Sequence, residues 1–120
     1  MQISENDSGY VDCTRPRSCY PSSKRHSETL CAAYSDEYAA DVVIARPSHV
    51  FGPYFTSGDN RVYAQFLRNA IAGEDILMKS QGDQLRSWCY CVDCASALLA
   101  ILLKGDKAQA YNIANNSSVF

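Results

Sequence analysis

The chain has 120 residues, 47% of them hydrophobic and 20% charged, with a net charge of −2. That is the composition of a globular domain or part of one, and it excludes disordered and fibrous chains. The mild acidity offers no one-signed field for nucleic acid or an anionic membrane, and the longest apolar run, Ala97 to Leu103, is too short to span a bilayer.

Met1-Gln2-Ile3-Ser4-Glu5 has no basic stretch followed by an apolar core, so no secretion signal is read and a cytoplasmic location is expected. Residues 1–19 are polar and broken by Gly9 and Pro16, which predicts loop. Pro21 suits a helix start. Ser27, Leu30, Cys31, Tyr34 and Tyr38 then recur at helical spacing and define one face of an amphipathic helix, ended by Asp41. Val42 to Ala45 reads as a strand buried on both faces. Pro47, Gly52 and Pro53 predict a loop that runs on to Asn60.

A second helix follows, capped by Asp59 or Asn60, with Val62, Phe66, Leu67, Ala70 and Ile71 as its buried stripe and Gly73 as its stop. Ile76 to Met78 predicts a short strand, and Gln81-Gly82-Asp83 a turn. Ser87 to Val92 predicts another strand. Asp93 is the expected cap of a third helix, Cys94 to Leu103, closed by Lys104 and Gly105. Ala110 to Ile113 is a last strand. The order is α/β, but only one strand of buried type is clear, too few for a complete doubly wound sheet.

Six cysteines are many for this length. Without a secretion signal a disulfide framework is not expected. Cys91 and Cys94 form a C-x-x-C, but His26 and His49 are not spaced as further metal ligands, so no metal is assigned. Cys89 and Cys91 would face one side of a strand as apolar fillers.

The sharpest chemical signal is Tyr20-Pro21-Ser22-Ser23-Lys24. A Tyr and a Lys four apart at a helix start share one face. A tyrosine is ordinarily neutral, with a pKa near ~10, and a neighbouring ammonium favours the phenolate a general acid/base needs. The stretch from Arg17 to Leu30 resembles the active-site helix of extended short-chain dehydrogenases. Val43 to Pro53, ending in Gly52-Pro53, is similar to that family's next strand and loop. Gly82-Asp83-Gln84-Leu85-Arg86-Ser87-Trp88, running on to Asp93, is similar to its sugar-nucleotide arginine segment. Tyr111-Asn112-Ile113 completes the order.

The resemblance is to the NAD-dependent nucleotide-sugar epimerases/dehydratases, in the flavour of dTDP-glucose 4,6-dehydratases and UDP-glucuronate decarboxylases. It implies an incomplete Rossmann-like, carboxy-terminal portion. The end of the Rossmann half would span about 18–50 and the sugar-nucleotide region about 51–113. It implies Tyr20 as catalytic acid/base and Lys24 as its partner and ligand of the nicotinamide ribose. Pro47 and Ser48 would lie beside the nicotinamide. His49, Arg61 and Arg86 would meet a nucleotide-diphosphate sugar, Arg86 at the diphosphate. His49 stands where many relatives carry Asn. Asp93 and Glu28 read as structural.

The glycines, at 9, 52, 58, 73, 82 and 105, nowhere form the G-x-x-G-x-x-G cofactor fingerprint. The chain is therefore expected to lack the amino-terminal cofactor half, to look cut at both ends, to bind no NAD alone and to be inactive alone. Its partners would be that half or a second copy through the Tyr–Lys helix. The alternative reading is a non-enzymatic binding or assembly module that retains the scaffold.

Overall fold

The structure is a computed structural model that describes residues 3–78, 80–83, 85–115 and the backbone of 118–119; Gln84 lies outside the described residues. A 3-10 turn, Pro16–Ser18, leads into α1 (Cys19–Glu37). Strands β1 (Ile44–Pro47) and β2 (His49–Phe51) follow, then α2 (Val62–Ala72), β3 (Arg86–Tyr90), α3 (Cys91–Lys104), β4 (Ala110–Ile113) and β5 (Ser118–Val119).

β1 pairs in parallel with β4, with Ile44 opposite Ala110 and Pro47 opposite Ile113. β2 pairs in parallel with β3, and β3 pairs antiparallel with β5. The chain thus changes sheet at Ser48. Its backbone N–H still donates to Ile113 O at 2.8 Å, closing the β1–β4 ladder, while the next residue already pairs with β3. The Ser48 hydroxyl is buried with no hydrogen-bond partner among the described residues.

Alternation along the strands separates two faces. Val50 and Cys89 turn to one side and join Cys94, Ile113, Ala45, Ala97 and Ile101 in the core beneath α3. His49, Phe51, Trp88 and Tyr90 turn to the other, where Phe51 and Trp88 meet Tyr63 of α2, His49 meets Trp88 and Tyr90 meets Phe51. Helix α3 ends where Gly105 leaves room for nothing larger. A Cβ there would lie 2.5 Å from Ile101 O and 3.1 Å from Val43 Cγ1. α2 ends as the sequence predicts, with Gly73 in the left-handed conformation at φ 69°.

Several expectations need correction. The β1 strand lies two residues later than Val42–Ala45 and is half-buried rather than buried on both faces, because β4 is its one neighbour strand among the described residues. Residues 49–51, expected as loop, form β2 because β3 offers them a parallel partner. Ile76–Met78 is no strand; Leu77 is 74% exposed and pairs with nothing described. β3 stops at Tyr90, so Cys91 opens α3 instead of sharing a strand face with Cys89. Asp93 lies in the first turn of α3, and the cap position is Tyr90. Arg61, not Asp59 or Asn60, is the cap residue of α2.

The apolar stripes also turn out differently. α1 turns Glu28, Cys31 and Ser35 inward, while Leu30, Tyr34 and Tyr38 are exposed. α2 buries Ala64 and leaves Val62, Leu67 and Ile71 exposed. All six cysteines are free thiols, with Cys89 and Cys94 buried. No described helix is long and apolar enough to cross a membrane.

Candidate active site and sugar-nucleotide face

Two clusters of side chains lie on different elements. The first is at the amino-terminal end of α1. Tyr20 and Lys24 are one helical turn apart, and the Lys24 ammonium sits 5.7 Å from the Tyr20 ring centroid. Tyr20 is 68% exposed. Both line an open groove of about 590 Å³ with Arg25, Glu28, Arg46 and Asn112, walled on its far side by the segment around Ile3 to Ser8.

That segment is pinned across the groove by backbone acceptors and one carboxylate. Arg25 Nη2 donates to Ser8 O, and to Gly9 O at 2.8 Å. Arg46 Nη1 donates to Glu5 O at 2.8 Å, and the Glu5 carboxylate accepts from Asn112 N–H at 3.0 Å. The Asn112 bond is the main reason the Glu5 carboxyl lies below its ordinary value of 4.5.

Glu28 fixes α1 against β1. Its two oxygens accept from Arg46 Nε at 2.8 Å and Nη2 at 2.7 Å, a bidentate ion pair with both side chains about 70% covered. These hydrogen bonds hold the Glu28 carboxyl below 4.5 and raise Arg46. A carboxyl depressed in the folded state stabilises above its unfolded value, and that contribution disappears as pH falls through the lowered value. Glu28→Gln is expected to cost about 1–2 kcal/mol at pH 7. Urea midpoints of wild type and variant should converge on acidification below 4.5. Equal acid slopes in the two proteins would remove the pair from the stability account.

The second cluster is the outward face of β2 and β3. Arg86 Nη1 lies 2.7 Å from His49 Nε2. The His49 and Trp88 rings are 5.4 Å apart. Behind them Phe51, Tyr63 and Tyr90 form an aromatic floor, with Tyr63 edge-on to Trp88 at 6.0 Å. Arg61 lies over the Tyr63 ring at 5.0 Å and is held by Asp59 through Nε at 3.0 Å and Nη2 at 2.5 Å. The Asp59 carboxylate also accepts the Arg61 backbone N–H at 3.0 Å, and the arginine's side chain chiefly draws its pKa down to about 2.

The structure brings together Tyr20 with Lys24, and His49 with Arg86. Arg61 borders the aromatic cluster, but its guanidinium is already engaged by Asp59. Pro47 and Ser48 sit at the junction between the two clusters, Pro47 exposed, and neither lines the groove. Sequence reasoning did not find the Glu28–Arg46 clamp or the aromatic floor of Phe51, Tyr63 and Tyr90. A helix-to-strand pair 18 residues apart leaves no periodic signal. Among the described residues, no three His, Cys, Asp or Glu side chains group as metal ligands.

UDP-glucuronic acid decarboxylase 1 of Xenopus tropicalis is 34% identical over 112 residues, 93% of this chain and 26% of that protein. A dTDP-glucose 4,6-dehydratase of Escherichia coli is 31% identical over 102 residues, 85% of this chain and 28% of its own length. The chain therefore spans under a third of these relatives. The crystal structure of dTDP-glucose 4,6-dehydratase from Bacillus anthracis in complex with NAD superposes with a TM-score of 0.82 at 26% identity, over 99% of this chain and 36% of that one. Residues 2–114 match the NAD dependent epimerase/dehydratase family. A match over nearly the whole chain, with parallel α/β pairing to go with it, places this protein in the NAD-dependent epimerase/dehydratase family.

Proposed function

We propose that this chain is the acid/base and sugar-nucleotide-binding part of an NAD-dependent nucleotide-sugar enzyme of the dehydratase or decarboxylase kind. The observation that carries the reading is the pairing of Tyr20 with Lys24 on one face of α1, at a groove also lined by Arg25 and Arg46. The donors fit the ribose end of a nicotinamide cofactor. They do not fit its pyrophosphate, because among the described residues no α-helix starts behind a glycine-rich loop. NAD, when bound, supplies reversible acceptance of a hydride from the sugar C4 carbon. Tyr20 takes the C4 hydroxyl proton on its phenolic oxygen and later returns it. Lys24 stabilises the tyrosinate and donates toward the ribose. Arg86 binds the diphosphate with its planar fork of donors, and His49 and Arg61 border the sugar nucleotide.

On this reading the cofactor's pyrophosphate is held by an amino-terminal half outside these 120 residues, and the chain alone is inactive. The uncovered apolar stripe of α1 favours a second reading, a non-enzymatic assembly module. Calorimetry with NAD separates the two. The folded chain alone should give no heat of binding. Supplied with a cofactor-binding half from a relative, it should bind, and Lys24→Ala should weaken that binding by about tenfold or more, the loss of one charged hydrogen bond. NAD binding by the chain alone would overturn the account of a shared site. Failure of every half to restore binding would favour the module.

A further inference from the structure

Arginine is a donor only and stays protonated, so the 2.7 Å contact between Arg86 Nη1 and His49 Nε2 has one chemical solution. For Nε2 to accept that N–H, the ring must carry its hydrogen on Nδ1. A ring protonated on both nitrogens would instead point an N–H donor at a donor. From β3 the ring faces Arg86 and Trp88, and Phe51 of its own strand packs on that Trp88. From α2, Tyr63 stands behind Trp88 with Arg61 over it, and Arg61 is paired to Asp59. α3 packs on the opposite face, against Val50. Among the described residues no carboxylate bonds the ring. Arg86 is thus the charge that governs it.

We infer that His49 is a proton-linked positioning residue for Arg86, and that a bound diphosphate diester turns it into a second anion ligand. This rests on the reading of Arg86 as the diphosphate ligand. In the ligand-free protein the neutral ring holds the guanidinium against β2. A diphosphate oxygen arriving on Arg86 brings negative charge to the same place, where the Nε2 lone pair repels it. The ring then takes one proton from solution and Nε2–H donates to the phosphate oxygen. Binding therefore consumes a proton, and affinity falls as pH rises. An asparagine at this position donates its amide N–H without titrating, so it gives the same contact with no proton linkage.

UDP-glucose is the probe, because its diphosphate diester keeps its charge between pH 6 and 9 and any proton uptake comes from the protein. The protein is this chain assembled with a cofactor-binding half from a relative. Calorimetry in buffers of different ionisation enthalpy should show up to one proton taken up per ligand. Affinity should fall by as much as about tenfold per pH unit where uptake is complete. His49→Asn should bind with a flat pH profile, and Arg86→Ala should lose most of the affinity in both backgrounds. Long-range 15N spectra of the imidazoles give an independent reading, and with only two histidines in the chain the His49→Asn spectrum assigns them. The free protein should show the Nδ1–H tautomer at His49, and the complex should show both nitrogens protonated.

An Nε2–H tautomer in the free protein overturns the inference. So does an unchanged pH profile in His49→Asn when Arg86→Ala still abolishes binding; the nucleotide-sugar reading survives that result. If Arg86→Ala binds UDP-glucose as wild type does, or wild type does not bind it, the reading of Arg86 fails and takes the inference with it.

Discussion

Tyr20→Phe, in an enzyme assembled from this chain and a cofactor-binding half, is expected to lower kcat by about 10²- to 10⁴-fold, with sugar-nucleotide affinity within a few-fold of wild type. The substitution removes one oxygen and keeps the ring. Tyr20 is mostly exposed, so no packing is lost. The Lys24 ammonium, 5.7 Å from the ring centroid, keeps its place over the aromatic face. The cluster of Arg86, His49 and Trp88 is untouched, because it lies on β2 and β3, while Tyr20 lies on α1. An interaction made only as the hydroxyl proton moves should appear in kcat and kcat/KM together. Lys24→Met should do more, since on the proposed reading Lys24 serves both the tyrosinate and the ribose, and should raise the apparent Kd for NAD as well. Steady-state kinetics with a UDP- or dTDP-sugar reads both. A Tyr20→Phe enzyme within about threefold of wild-type kcat would show that the proton is carried by another group.

How much of this could be read from the sequence depended on how local each cause was. The left-handed Gly73 and the strand Ala110–Ile113 were legible because turn chemistry and a short β-rich run act within a few residues. The Tyr20–Lys24 face was legible because helical spacing alone brings the two together. β2 was not, since Pro47, Gly52 and Pro53 mark its ends as loop-like and its strand character comes from partners on β3, His49 facing Trp88 and Phe51 facing Tyr90. Ile76–Met78 failed the opposite way: three apolar residues with strand propensity stay irregular without a partner ladder. The His49–Arg86 contact depends on sheet register, with His49 opposite Trp88 and Arg86 two residues earlier on the same face. The stripe Leu30, Tyr34, Tyr38 was correctly periodic, but periodicity shows that a face exists and not what covers it.

What covers it is the second large expectation. The chain exposes 9712 Å², whereas a compact monomer of 13.3 kDa exposes about 6,500 Å². Its radius of gyration is 17.2 Å, against about 14 Å for a compact chain of this length. The difference of roughly 3,000 Å² is the size of an obligate interface. It is also apolar in the right places. Leu102 and Leu103 of α3 are 71% and 70% exposed, Tyr38 of α1 is 63% exposed, and no described large side chain is fully buried. A surface of this kind binds hydrophobic dye or another protein. The isolated chain is therefore expected to bind ANS strongly, to exchange the amides of α1 and α3 at least about a hundredfold faster than in the assembly, and to melt without a sharp transition. Joining it to a cofactor-binding half should suppress the dye signal and restore a cooperative melt. Sedimentation distinguishes the other occupant: if the chain alone is a stable dimer that binds no dye and melts cooperatively, a second copy covers the stripes. The assembly-module reading would then displace that of a shared active site, because the groove beside Tyr20 would remain without anything to hold a pyrophosphate.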